Sequence, residues 1–505
     1  MKSATRTDDA TRAALRERLV EFHALGKAAD LLEWDQETVM PRGGAAARAH
    51  HLGILKKTAH ELFTAPETGR WIAALVPSAE GRDDDDAALV RWAAREWRRR
   101  SRQPAVLVAE LARLTALAQE DWSAARAASD FSRFRPRLEE LFALKRRQAA
   151  ALGDFPDPYD AWLEEFEPGM STARVDELFA EMKAGLVPLV KAVAAKAGSV
   201  RVPELSGSFD PARQRELGLE VARSMGFDFA RGRLDESAHP FSTGIAPDDV
   251  RLTTRYREDL PFSALFGVMH EAGHGLYEQN AGPDPKSTPL TGGATMAVHE
   301  SQSRLWENQV GRGRPFWRRW RARFAELFPQ AAGLSAEDLY RAVNRAEATH
   351  VRVEADELTY GLHVLIRFEL ERELLSGRLA VADLPKAWAA KSRTYLGIVP
   401  PDDARGVLQD VHWASGLIGY FPTYAVGNMI SAQLWDAALA ARPGIPAALE
   451  RGDGAPLLGW LVDNVHRHGR KYAAEELVRR ACGGPISAAP YLKYLRAKFG
   501  ELYGL

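Results

Sequence analysis

Residues 12–30 read RAALRERLVEFHALGKAAD, and their apolar side chains return every three or four positions, the spacing that lines one face of an α-helix. The same spacing runs through 86–100, 104–128, 131–151, 175–197, 211–225, 335–375 and 455–480. Aspartate or serine opens several of these stretches, as N-capping chemistry asks. Strand-like alternation is confined to one place, where HPFSTGI (239–245), APDD (246–249) and VRLTTRY (250–256) read as two short strands around a turn. The fold expected is all-α, mainly helical, with one small β-sheet.

The chain has 505 residues, 46% of them hydrophobic, enough for a sizeable core. Lys+Arg 67 against Asp+Glu 68 gives a formal net charge of −1, which excludes the basic excess that nucleic acid or an anionic membrane demands. The acidic run Asp83–Asp86 and the basic run Arg98–Arg100 read as solvated helix ends. A polar, charged N-terminus and the lack of any apolar run of about 18 residues predict a soluble protein with no membrane span. The single cysteine, Cys482, excludes an internal disulfide framework and points to a reducing compartment. Any bound metal must therefore be held by histidine and carboxylate.

Within PFSALFGVMHEAGHGLYEQ (261–279) lies His270-Glu271-Ala272-Gly273-His274, an HEXXH motif. On a helix, positions i and i+4 share a face, so both imidazoles can converge on one ion. Glu271 lies about 100° around the helix, beside the ion, where it can act as general base on a bound water. A catalytic zinc site normally has a third protein ligand. The Pro/Gly-rich loop 281–295, with Pro283, Pro285 and Pro289, lets the next helical segment, MAVHESQSRLWENQV, fold back alongside the first. Glu300, 26 positions after His274 (300−274), leads there; His299 and Glu307 are rivals, and spacing alone does not choose among them. The three-histidine pattern HEXXHXXGXXH is absent, since Tyr277 and Asn280 stand at its last two fixed positions. The implied chemistry is peptide hydrolysis.

Beyond HEXXH the chain resembles the carboxypeptidase Taq family of zinc metallocarboxypeptidases. The resemblance rests on Trp34-Asp35-Gln36-Glu37-Thr38-Val39-Met40-Pro41, His239-Pro240-Phe241, Asp249-Val250-Arg251-Leu252-Thr253, His299-Glu300-Ser301-Gln302-Ser303-Arg304, Val351-Arg352-Val353-Glu354-Ala355-Asp356, and Gly406 to Trp413 reading GVLQDVHW. Only Val351 departs, standing where the family has isoleucine. The resemblance implies Glu300 as third ligand to one zinc ion per chain, replaceable by cobalt. It implies a two-lobed zincin-type peptidase with a deep central groove beside the sheet, commonly a homodimer. It also implies release of single C-terminal residues from peptides, with broad side-chain tolerance and poor action on proline. The blocks run from 34 to 413, so residues 1–505 are expected to form one catalytic unit, with peptides as its partners in the cytoplasm.

A C-terminal cutter needs a cation for the terminal carboxylate. Arg352 is the first choice, because a guanidinium grips a carboxylate bidentately, against a structural pair with Glu354, Asp356 or Glu357. Arg251 is second, against an internal Asp249–Arg251 brace, and Arg405 a distant third. His412 with Tyr420 or Tyr424, from GLIGYFPTYAVGN, are candidates to stabilise the oxyanion. His239 is a candidate substrate contact or turn cap, Asp410 a histidine-orienting group or helix cap, and Trp34 architectural. The strand pair offers an edge for an extended peptide. Two other readings stay open: an oligoendopeptidase with the same zinc chemistry, and a non-catalytic helical scaffold with a vestigial metal site.

Overall fold

The three- and four-residue apolar spacing is realised as helix almost throughout. A computed structural model describes residues 2–153, 155–199, 203–282 and 288–505. The first part of the chain runs through α1 (Lys2–Thr38), α2 (Ala45–Thr64), α3 (Pro66–Ala79), α4 (Asp85–Arg102), α5 (Ala105–Ala128), α6 (Phe131–Leu152), α7 (Asp160–Phe166), α8 (Thr172–Lys196) and α9 (Pro211–Met225). Then come β1 (Gly232–Glu236), β2 (Ser242–Ala246) and β3 (Asp249–Thr254), followed by α10 (Pro261–Asn280) and α11 (Met296–Arg304). The remainder holds α12 (Arg314–Leu327), α13 (Ala336–Val343), α14 (Tyr360–Leu375), α15 (Leu384–Leu396), α16 (Pro422–Ala441), α17 (Ile445–Glu450), α18 (Ala455–Asn464), α19 (Ala474–Cys482) and α20 (Ala489–Tyr503). No helix among the described residues is long and apolar enough to cross a membrane.

Two expected helices break. The 335–375 stretch yields α13 and α14 with irregular chain between them, because polar side chains capture the backbone there. Asn344 donates to the carbonyls of Tyr340 and Arg312 (2.8 and 2.9 Å), and Asp356 accepts from the N–H groups of Leu358 and Thr359 at the start of α14. The 455–480 stretch breaks between α18 and α19 at Gly469, whose φ of 51° belongs to the left-handed region. The acidic run behaves as expected at its centre: Asp84 caps α4 by accepting from Ala87 N–H at 2.9 Å. The basic run departs from its solvated reading, since Arg99 and Arg100 turn in to pair with Glu165 and Glu96. The loop after α10 is non-helical over 281–282 and 288–295, while Pro283 and Pro285 lie outside the described residues.

The sheet has the order β1-β3-β2, with β1 parallel and β2 antiparallel to the central β3. β2 and β3 are the strands expected around the turn. β1 was not legible, because Leu234 is its one buried residue and no alternation marks it. A large apolar cluster extends from Leu107 to Tyr503, and a small one joins α1, α3 and α4 through Leu15, Leu19, Ile72, Leu75 and Val90. α10 is embedded in the large cluster, with Ala264, Val268, Met269, Ala272 and Leu276 all buried.

Candidate metal centre

Helix α10 carries His270 and His274 on one face, and α11 packs against it. The close approach depends on Gly273 inside the motif: a Cβ there would sit 2.7 Å from the Gln302 carbonyl oxygen and from Ser303 Cα. From the other side Gly427 of α16 makes room for Glu300, whose Cγ lies 2.8 Å from where a Cβ would stand. Squeezed between these glycines, Glu300 turns Oε2 to both imidazoles, 3.6 Å from His270 Nε2 and 3.5 Å from His274 Nε2. One ligand atom from each residue falls within 4.8 Å of the others, the only such His/Cys/Asp/Glu group among the described residues. Two imidazole nitrogens and one carboxylate oxygen, with a side left open, suit a divalent cation of the zinc type.

The far side of each donor is tied. Arg304, one turn beyond Glu300, donates Nε to Glu300 Oε1 at 2.7 Å, leaving Oε2 for the ion. His270 Nδ1 donates to Glu307 Oε2 at 3.0 Å. Glu307 reaches that position because residues Leu305–Gly311 form a π-helical turn, closed by Arg312 N–H donating to the Glu307 carbonyl at 3.1 Å. His274 Nδ1 meets His299 Nδ1 at 2.6 Å, and His299 Nε2 meets Glu278 Oε1 at 2.7 Å. With His274 Nε2 turned to the ion, its Nδ1–H donates to His299, which in turn donates to Glu278. Both rivals for third ligand, His299 and Glu307, thus stand behind the histidines rather than beside Glu300.

The charges follow. Burial opposes ionisation of Glu300, yet Arg304 and the histidines hold it well below the usual carboxylate range. Burial lowers His274 to about 3, so its Nε2 is a free lone pair. Burial also acts to lower His270, but Glu300 and Glu307 raise it, so a proton competes with the ion there. Glu271, 6% exposed, is pushed up to about 7 by burial, with the Ser242 hydroxyl bonding its carboxylate. That places a proton acceptor of near-neutral basicity beside the candidate ion.

The oxyanion candidates assemble on α16 and the turn before it. His412 Nε2 is 3.2 Å from Tyr424 Oη, and the Tyr420 and Tyr424 rings lie 5.3 Å apart. Tyr424 stands one turn before Gly427, the residue of α16 that packs on Glu300. Burial lowers His412 to about 4, so its ring is neutral.

Arg352 is 5% exposed and does not pair with Glu354, Asp356 or Glu357. Its Nε donates to Asp410 Oδ1 at 3.0 Å and its Nη1 to Tyr360 Oη at 2.9 Å. Arg367 Nε donates to the other oxygen of Asp410 at 2.7 Å. Asp410 therefore neither orients a histidine nor caps a helix; it bridges two guanidiniums, which hold it ionised against its burial. Tyr360 links this group to the metal centre, since Arg304 lies over its ring at 4.5 Å.

Other candidates sit elsewhere. Arg251 is the brace: it holds Asp249 bidentately at 2.9 and 3.0 Å and stacks on Trp34 at 4.3 Å, fixing α1 to the sheet. Trp34 is buried in that architectural role. Arg405 is exposed and bound to Asp402. His239 is exposed, and its carbonyl accepts from Ser237 Oγ at 2.6 Å, a turn contact. Sequence reasoning missed Ser242, Arg304, Tyr360 and Glu278. Arg304 alone carried a signal, the i,i+4 spacing from Glu300.

Known proteins match this chain over nearly its whole length. The family model described as carboxypeptidase Taq (M32) metallopeptidase matches residues 14–499. Thermostable carboxypeptidase 1 of Thermus thermophilus is 40% identical over 97% of this chain and 99% of its own. Carboxypeptidase 1 of Bacillus subtilis is 39% identical over 94% and 95%. The crystal structure of the M32 carboxypeptidase from Deinococcus radiodurans superposes with a TM-score of 0.94 at 44% identity, covering 98% of this chain and 100% of that one.

Proposed function

The chain belongs to the carboxypeptidase Taq (M32) metallopeptidases, and on that premise we propose that it is a zinc-dependent carboxypeptidase releasing single residues from peptide C-termini. The observation that carries this reading is the convergence of His270, His274 and Glu300 with Glu271 beside them. Bound there, a divalent cation supplies Lewis acidity and a water of lowered pKa. Glu271 is the group on this chain that would accept a proton from the attacking water and return it to the departing amine. Tyr424 or Tyr420, with His412, donates to the carbonyl oxygen as it gains negative charge.

Exopeptidase action is supported by charge arithmetic: Arg352 and Arg367 share the single carboxylate of Asp410, leaving one positive charge for a terminal carboxylate. Broad tolerance is supported by a cavity of about 430 Å³ beside His270 and Glu271. Its walls mix Phe262, Phe266 and Val343 with Arg312 and Glu307. A C-terminal proline, which presents a tertiary amide without N–H, is released poorly. The reading extends to residues 1–505 as one catalytic unit, a cytoplasmic homodimer with one zinc ion per chain for which cobalt can substitute, all carried by family kinship.

Mass spectrometry of peptide digests tests it. A free-acid peptide should give a ladder shortened one residue at a time, and its C-terminal amide should resist. Equal internal cleavage of both would make the protein an oligoendopeptidase. Absence of both turnover and stoichiometric metal would make it a scaffold.

A further inference from the structure

Residues 397–421 carry His412 and Tyr420 from α15 to α16 without regular secondary structure, so side chains of other elements must set their geometry. His412 does little to fix itself. Its Nε2 meets Tyr424 Oη at 3.2 Å, and its buried Nδ1 has no partner among the described residues. The ring stacks on Phe421, and its carbonyl accepts from Leu417 N–H at 2.8 Å, both contacts within the same segment. Where the imidazole lies therefore depends on where the segment is held.

Helix α14 holds it. Arg367 of that helix takes the part before His412, donating to Asp410 and, at 2.7 Å, to Gln409 Oε1. One turn on, the fully buried Glu371 takes the part after it. Glu371 Oε1 accepts from Trp413 Nε1 at 2.8 Å; Oε2 accepts from Gly419 N–H at 3.2 Å and from Tyr159 Oη at 2.6 Å. Trp413 follows His412 directly, and Gly419 directly precedes Tyr420. Gly419 has a φ of 84°, and a Cβ there would stand 2.7 Å from Trp162 Cβ, so the chain is closely seated at this point. A further tie, Gln119 to Ser415 Oγ at 3.3 Å, lies at the surface. All three partners of Glu371 are placed as donors, and a carboxylate satisfies them together. An amide of the same shape offers one acceptor oxygen and turns its own N–H groups against donors.

We propose that Glu371 is a positioning residue for peptide hydrolysis: by holding Trp413 and Gly419 it sets His412 and Tyr420 where the carbonyl oxygen gains negative charge. The proposal rests on the carboxypeptidase reading and on the oxyanion role given there to His412. Its test compares Glu371→Gln and Trp413→Phe, which cut ties to the segment, with Tyr159→Phe, which removes a donor to the same carboxylate from outside the segment. The readouts are metal content, kcat and KM for release of the last residue of a free-acid peptide, and inhibition by a phosphinic analogue of its tetrahedral intermediate. In both cut variants metal should be retained and KM should hold within about threefold, while kcat falls about 10- to 100-fold. The analogue should weaken by the same factor as kcat, because both depend on the oxyanion donors. Tyr159→Phe should lose stability in denaturant yet keep kcat within about threefold. A kcat within about threefold of the unmodified enzyme in both cut variants would overturn the proposal. So would a loss of kcat that the analogue does not share, or an equal loss in Tyr159→Phe. Should Glu371→Gln fail to fold, Trp413→Phe decides alone. If His412→Ala kept its kcat, the oxyanion role itself would fall, and failure to release a last residue from any peptide would overturn the carboxypeptidase reading.

Discussion

The two histidines of the candidate metal centre are one helical turn apart yet supported in different ways. His270 leans directly on a carboxylate, Glu307, which Arg304 and Arg312 also hold. His274 reaches its carboxylate, Glu278, only through a second histidine, His299. Direct support gives its imidazole the full field of an anion, whereas relayed support fixes the ring mainly by geometry. Imidazoles on the same face therefore need not be equivalent donors.

Removing either ring is the baseline: His270→Ala and His274→Ala should each release the cation and abolish peptide release, read by metal analysis of dialysed protein. Glu307→Gln tests the direct arm, and metal affinity measured by chelator competition should fall about 100-fold. For the relayed arm, His299→Ala should weaken the metal about tenfold, and His299→Gln, whose amide both accepts and donates, should recover most of that. A larger loss in His299→Ala than in Glu307→Gln would reverse the ranking of the two arms. Gly273→Ala presses on both arms alike by pushing α11 away, so it should cost about 1–3 kcal/mol in denaturant unfolding with only a modest loss of metal. Outside this series, Glu271→Gln should keep its metal while kcat drops by about 10²–10⁴.

Much of this centre could be read before any coordinates. Helix periodicity located α1 and α9, whereas α10, buried over nearly its whole surface, was read from the HEXXH motif and its apolar flank. His270 and His274 were legible because i,i+4 spacing is a local fact, while Glu300 was set apart from His299 and Glu307 only by the family resemblance. The supports behind them were not. Glu278 and His299 meet only after α11 folds back on α10, and Asp410 finds Arg352 across 58 positions (410−352). Such pairings are set by tertiary packing, and short-range patterns hold no trace of them. The break of 335–375 was missed for a related reason: Asn344 and Asp356 are ordinary helix residues until their side chains find backbone partners.

The π-helical turn at Leu305–Gly311 makes the site sensitive to chain length. Such a turn carries one residue more than the regular helical repeat would need. Deleting one residue from Leu305 to Trp306 would restore regular helix and improve its own backbone bonding. It would also swing Glu307 by about 100° away from His270, and the ring would lose its anion. The irregularity thus serves the site against the preference of the helix itself, and a length change in this stretch would take from His270 the anion that orients it.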